Sequence, residues 1–373
     1  MTNSDLTVGI VGLGYGRAHI PAFQAQGCRV VALCQRDQAM AQALAKRYAV
    51  PKVFQRWQDL IDEARPDIVV IAPPPHLHHS IALRAFEAGA HVLCEKPLAM
   101  TVDEGRAMAA AAARAGRVAM TSFNWRYTKA MQELHARVRA GEVGRVFHIS
   151  ARWRGGRMAK EHEAPDWRMD RAQAGHGVMG DQGVHVVDLI RWTFGEFRRV
   201  AAHAGIGYPE RLAPGDKPTD AEDHCAVLAE LRDGTHVAFD VSRVAHGVTE
   251  QALDVYGARG TLSYRHQRTS PRWWEGELLA SDRGAGLRRV APSSAPALAA
   301  GDDTDALDII GRATIAPLVA RFLESIRTGV PASPTFADGV QAQVVLDAVL
   351  ESAAHRVWVE VPDSATGDMP DSS

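Results

Sequence analysis

The stretch HVLCEKPLAM, residues 91–100, sets Glu95 and Lys96 at the exit of an apolar run and stops it with Pro97. A proline there can neither continue a ladder nor donate a hydrogen bond. A lysine on so stiff a mounting can take a hydroxyl proton or stabilise a developing alkoxide; a surface ion pair is the plainer reading of the same two charges. A second set lies in GHGVMGDQGVHVVDLIRWTFG. Read as a helix from about Met179, it places Asp181, His185, Asp188 and Trp192 on one face, at the three- and four-residue spacing of neighbouring turns. The other faces carry Val184, Val186, Val187, Leu189 and Ile190, so the helix is expected to be buried. Buried Asp and His cost free energy unless paired. The acid–imidazole seam therefore either lines a polar cavity, where His185 suits proton transfer near neutrality, or satisfies itself as a structural pair. The sequence leaves both open.

A third stretch, GLGYG (Gly12–Gly16), follows the first apolar run. Between a strand and a helix, such glycines let the backbone approach a pyrophosphate, with N–H groups and the helix dipole favouring the anion. A glycine-rich turn is the plainer alternative, and the βαβ setting decides against it. The third glycine, Gly16, comes one position earlier than G-x-G-x-x-G requires, where Arg17 would stand, so the expected loop is tighter or one residue shorter. The second apolar run ends in Gln35 and Arg36, with Asp37 beyond. A carboxylate at that tip takes the ribose 2′-hydroxyl of NAD. Arg36 instead suits a 2′-phosphate, which points to NADP over NAD; a solvated arginine at a helix start is the alternative.

The elements that must hold these groups follow from the apolar pattern. Runs such as LTVGIVGLG, CRVVALC, PDIVVIA and AHVLC alternate with helical patterns over residues 1–125. Continuous apolar strands in strict turn with helices indicate a doubly wound α/β domain around a parallel sheet. From about Phe147, runs such as VFHISARW, HCAVLAEL, THVAFDVSRV, ALDVYG and GTLSY follow one another with few helices between. That predicts an α+β second domain, residues 126–363, around an open, largely antiparallel sheet. Residues 271–304 read as an irregular excursion, helices return near 310–329 and 336–356, and residues 364–373 read as a mobile tail.

Composition narrows the function classes. Among 373 residues the formal net charge is −2 with no long run of one sign, so neither a nucleic-acid nor a membrane-surface partner is expected. The first residues lack the basic and apolar regions of a secretory leader, and the four scattered cysteines form neither a disulfide framework nor a metal site. A cytoplasmic location is expected. His76, His78 and His79 lack an acidic or cysteine companion at ligand spacing, so no metal is expected there.

Taken together, the glycine loop, PPPHLHHSIALRAFEAGAHVLCEKPLAM, SFNWRY, DWRMD, GHGVMGDQGVHVVDLIRW and VYGARGTLSY resemble the Gfo/Idh/MocA oxidoreductases over nearly the whole chain. The resemblance implies an N-terminal Rossmann domain and hydride exchange between NAD(P) and a sugar, polyol or related hydroxyl compound. By motif it implies Lys96, Asp181 and His185 as catalytic residues. It also implies cofactor contacts from Gly12, Gly14, Tyr15, Gly16, Gln35, Arg36, Pro74, His78, Glu95 and Lys96. Asn124, Arg126, Trp167 and Arg168 would line the substrate side with the catalytic three, and a cis Lys96–Pro97 bond would be present. Independently, an open sheet whose strands, such as HVAFDVSRV, carry sizeable side chains on both faces predicts a homodimer or homotetramer. A non-catalytic sensor and an NAD-dependent glycosidase of the family are the alternatives, and His176 stands where the family usually has a glycine.

Overall fold

The computed structural model describes residues 3–162, 164–267, 273–282, 286–290 and 305–362. The first sheet has six parallel strands in the order β3-β2-β1-β4-β5-β6: Thr7–Val11 (β1), Arg29–Cys34 (β2), Lys52–Phe54 (β3), Ile68–Ile71 (β4), His91–Cys94 (β5) and Ala119–Thr121 (β6). This is the Rossmann order. All four residues of β4 are buried, as expected of a strand covered on both faces. Helix Gln38–Tyr48 is capped by Asp37, whose side chain accepts from Met40 N, and Val102–Ala115 by Thr101, with Gly116 left-handed at its end. The edge strands β3 and β6 had no counterpart in the sequence reading, because three residues carry too little periodicity to declare a strand.

The second sheet runs β16-β15-β14-β13-β7-β12-β11-β8-β17. Its strands are Val146–Gly155 (β7), Phe197–Gly205 (β8), His224–Leu231 (β11), His236–Ser242 (β12), Thr249–Gly257 (β13), Gly260–Gln267 (β14), Glu277–Asp282 (β15), Arg288–Arg289 (β16) and Val359–Glu360 (β17). A separate ribbon pairs Leu212–Ala213 (β9) with Lys217–Pro218 (β10). Every pair in the large sheet is antiparallel except β7 with β12. Strands β15 and β16 correct the expectation of an irregular excursion over 271–304; the rest of that stretch, and the expected tail at 364–373, lie outside the described residues. One face of the sheet packs on helices Lys129–Arg139, Val184–Phe194 and Phe336–His355. The other shows the clean alternation of a solvated face, with Ala226 and Leu228 of β11 and His236 and Ala238 of β12 exposed.

Packing does not follow the order of the chain. Ile310 and Ile315 and the helix Ala316–Thr328, far along the sequence, share a core with Val8 and Ile10 of the first sheet and Ile20 of the helix His19–Ala25. Gly311 permits this approach: a Cβ there would stand 2.2 Å from the carbonyl oxygen of Ala18. The C-terminal helices thereby close over the glycine loop. Among the described residues no helix is long and apolar enough to cross a membrane.

Candidate active site

A cavity of about 1530 Å³ opens where β1, β2, β4 and β5 end and the second sheet begins. Gly12, Gly14, Tyr15 and Arg17 line it, as do Gln35, Arg36, Pro74, Glu95, Lys96, Trp167, Arg168, Asp181 and His185. Ligands of open α/β sheets bind outside the carboxyl ends of the strands, which is this position.

The glycine loop owes its shape to close packing. Gly12 has φ +86°, and a Cβ on it would lie 2.4 Å from Pro73 N, so the loop is pressed against the turn after β4. A Cβ on Gly16 would come within 2.7 Å of Ala72 Cβ. Gly16 opens a short 3-10 turn, Gly16–Ala18, that leads into helix His19–Ala25, which is how the chain absorbs the shortened glycine spacing. Gly14 faces open space in the cavity wall. A pyrophosphate fits this loop, since the backbone at Gly14 can be approached without a side chain in the way. At the tip of β2, Asp37 is occupied as a helix cap, whereas the Arg36 guanidinium has no partner among the described residues.

Lys96 leaves β5 on a cis bond to Pro97. Its Nζ donates to Asp181 O at 2.9 Å and Oδ1 at 3.2 Å. Behind it, buried Glu95 takes a 2.8 Å hydrogen bond with His19 Nε2. Burial opposes the charge on Glu95, but the His19 bond and the Lys96 charge outweigh it and hold the carboxyl below its usual range. Asp181 sits in a π-helical turn, Met179–Gly183, that runs directly into Val184–Phe194, a deviation frequent at functional sites. Burial would raise its pKa, yet Lys96, Arg168, Arg157 and Arg243 together hold it well below the carboxylate range. Arg168 Nε lies 3.8 Å from Asp181 Oδ2, and its guanidinium covers the Trp167 ring at 4.1 Å.

His185 is buried against aromatic rings, stacked on Trp153 at 5.3 Å with Phe123 and Trp125 edge-on. Burial first, and the Lys96 charge second, push its pKa well below the ordinary imidazole value against the pull of Asp181. No hydrogen bond joins its ring to Asp181 among the described residues, whose carboxylate is occupied by Lys96 and Arg168. The result is a neutral imidazole facing the same cavity as a lysine. Such a pair can accept a hydroxyl proton and stabilise the oxygen left behind.

Residues 6–123 match the family model described as oxidoreductase family, NAD-binding Rossmann fold, and residues 131–263 match the Gfo/Idh/MocA C-terminal domain. The chain belongs to the Gfo/Idh/MocA oxidoreductases. Levoglucosan dehydrogenase of Pseudarthrobacter phenanthrenivorans is 30% identical to it, over 96% of this chain and 98% of that one. D-glucoside 3-dehydrogenase of Escherichia coli is 31% identical over 55% of this chain and 59% of its own length. The structure of levoglucosan dehydrogenase in complex with NADH and levoglucosan matches with a TM-score of 0.85 at 28% identity, over 96% of this chain and 100% of that one. Like its family, this chain is an oxidoreductase with an NAD-binding Rossmann domain.

Four residues expected at the site stand outside the cavity wall; Gly16 is buried against Ala72 beneath the loop. Arg126 is buried and turned to Asp188, with Nε donating to Oδ2 at 2.8 Å. The polar seam of the buried helix is thus divided: Asp181 and His185 face the cavity, while Asp188 is satisfied inside the protein. Asn124 is also enclosed, donating to Thr314 Oγ1 at 2.8 Å and Tyr15 Oη at 3.3 Å. It ties the glycine loop to the C-terminal helices rather than lining the wall. His78 is buried too, its ring nitrogens facing the carbonyls of Pro73, Pro97 and Leu98. It joins the turns after β4 and β5 and so supports Lys96 from behind.

The structure adds wall residues that the sequence reading did not single out, among them Trp125, Trp153, Gln182, Gln251 and His266. Trp153 and Gln251 come from paired strands, β7 and β13, whose register brings them opposite each other. No local motif marks them. His176, flagged for interrupting a glycine run, lines the cavity and bonds Asp347 at 3.0 Å through Nε2.

Proposed function

We propose that this chain oxidises a hydroxyl group of a sugar-like compound, reversibly, with His185 as proton acceptor and Lys96 as the cation beside the reacting oxygen. A bound nicotinamide dinucleotide supplies the hydride acceptor. Gly12, Gly14, Tyr15 and Pro74 would hold it, with Gln35 and Arg36 at its adenosine end and Glu95 and Lys96 at the other. Asp181 orients Lys96, and Trp167 and Arg168 wall the substrate. The observation that carries this reading is the Lys96–Asp181 contact beside a neutral, unbonded His185 in the cavity of the glycine loop. A sensor would have no use for a proton acceptor held in this state. Net oxidation of a sugar or polyol with one NAD(P)H released per turnover tests it. Binding without turnover would identify a sensor, and hydrolysis without NAD(P)H release a glycosidase.

Two finer readings belong with it. The Arg36 guanidinium, without a partner among the described residues, beside an Asp37 carboxylate occupied as a helix cap, supports NADP as the favoured dinucleotide. The solvated face of the second sheet, with Leu228 57% exposed, supports assembly into a homodimer or homotetramer. A cytoplasmic location accords with four free, buried cysteines.

A further inference from the structure

Behind Trp167 and Arg168 lies a buried charge cluster that the proton chemistry leaves unused. Asp223 is fully enclosed, and two enclosed guanidinium groups close on it. Arg243 Nε donates to Oδ1 at 2.8 Å, Arg211 Nη2 to Oδ2 at 2.5 Å, and Gly207 N to Oδ2 at 2.9 Å. Two guanidinium groups thus share one buried carboxylate. Such clusters are poor investments in stability, since well-packed apolar residues of similar volume often do as well. Their remaining donors indicate what this one is for.

Arg243 Nη1 donates to Arg168 O at 3.0 Å and Nη2 to Ala221 O at 3.2 Å. Its own carbonyl accepts from Met158 N at 2.9 Å, while Arg211 Nη1 donates to Met158 O at 2.8 Å. Arg243 is thus fastened to the backbone at Arg168, and Arg211 to that at Met158. From that anchored backbone the Arg168 side chain crosses the Trp167 ring, donates from Nη1 to Asp166 Oδ1 at 3.2 Å, and brings Nε into an ion-pair contact 3.8 Å from Asp181 Oδ2. The other oxygen of Asp181 faces Lys96 Nζ at 3.2 Å. A continuous chain of contacts therefore runs Asp223–Arg243–Arg168–Asp181–Lys96. Arg243 is also one of the cations that keep Asp181 ionised, after Lys96, Arg168 and Arg157.

We propose that Arg243 is a positioning residue: held by Asp223, it fixes the backbone of Arg168 so that the Arg168 guanidinium stays against Asp181 and sets that carboxylate for Lys96. This rests on the reading of Lys96 and Asp181 as reaction residues. Lysine cannot replace Arg243, because a single ammonium cannot span Asp223 and two carbonyls in the fixed fork of a guanidinium.

The test compares Arg243→Lys, Arg243→Met and Arg211→Met with the parent. Arg243→Lys is expected to lower kcat/KM for the sugar-like alcohol about 10-fold and Arg243→Met about 100-fold, the scale of misplacing a reacting group by about 1 Å. The dissociation constant for NADH, followed by its fluorescence, should not change. The acid limb of the pH profile should move to higher pH, because withdrawing the Arg168 charge makes the Lys96–His185–Asp181 cluster easier to protonate. Arg211→Met, which touches Asp223 and Met158 but not Arg168, should lower Tm without moving that limb. Adding Arg243→Lys to Arg168→Met should cost less than 2-fold more, since the link is already broken. Additive losses, or an Arg243→Lys variant that melts earlier with an unchanged kcat/KM and acid limb, would overturn the proposal. If the parent oxidises no sugar-like alcohol, the functional reading fails instead. The crystal structure of Arg243→Lys then decides the positioning role, which falls if Arg168 remains against Asp181.

Discussion

His185→Asn removes from the cavity the ring assigned to take the proton, and leaves a polar side chain that cannot act as a base near neutrality. Loss of a positioned general base ordinarily costs about 10²–10⁴-fold in turnover. Burial and Lys96 hold the His185 pKa well below the ordinary imidazole value, so the ring is neutral but a weaker base than usual. The loss should therefore lie in the lower half of the range, about 10²–10³-fold, or about 3–4 kcal/mol of transition-state stabilisation. Stability should respond differently. The variant forfeits the stacking on Trp153 and the edge contacts with Phe123 and Trp125, each worth about 0.5–1.5 kcal/mol, so a moderate fall in Tm is expected. Dinucleotide affinity should be unchanged, because the glycine loop rather than His185 would hold the pyrophosphate. In the parent, the acid limb of kcat/KM should lie below about 6.5, the ordinary imidazole value. Lys96→Met should also cost activity, and the double variant should lose less than the sum of the single losses, since both groups act on one hydroxyl. Turnover, NADH affinity and Tm measured on one preparation settle the matter. A variant that melts earlier but turns over at the parent rate per folded molecule would refute the reasoning and make His185 a packing residue.

Arg36→Ala should weaken NADP binding far more than NAD binding, measured by titration; equal losses would reduce Arg36 to a surface residue. Arg126→Met should leave NADH affinity intact but destabilise the fold by about 3–5 kcal/mol in urea denaturation, because Asp188 is left buried and unpaired; converting Asp188 to Leu as well should recover part of that loss. Burial pushes His91 and His135 down to about 4, whereas the unfolded imidazoles titrate near ~6.5. Between those values the unfolded chain binds more protons, so stability should fall as pH drops through this window and be fully present above it. Urea midpoints from pH 7.5 to 4.5 check this, and His91→Gln should flatten the slope. Sedimentation at micromolar concentration should show a dimer or tetramer, and a Leu228→Glu variant should dissociate it; a monomeric parent would contradict the interface.

The parts of this protein that were legible in its sequence are local ones. Continuous apolar runs and their caps announce β1, β2, β4 and β5 and the helices between them, because burial on both faces and the needs of helix ends are written into adjacent residues. The same holds for the glycine loop and the Glu95–Lys96–Pro97 corner, whose chemistry and backbone constraints share a few consecutive positions. The three-residue strands β3 and β6 are invisible in that sense, since their partners rather than their own pattern make them strands. At the site, spacing along a helix placed Asp181, His185 and Asp188 on one face, but could not say which would meet solvent and which an arginine. Arg126, 62 residues away, took Asp188, and Lys96, 85 residues away, took Asp181. Trp153 and Gln251 reach the cavity only through the register of β7 on β13. Pairing between distant residues depends on where the backbone has already carried them. A sequence states the chemistry of each group, while the tertiary structure decides which groups are left free to use it.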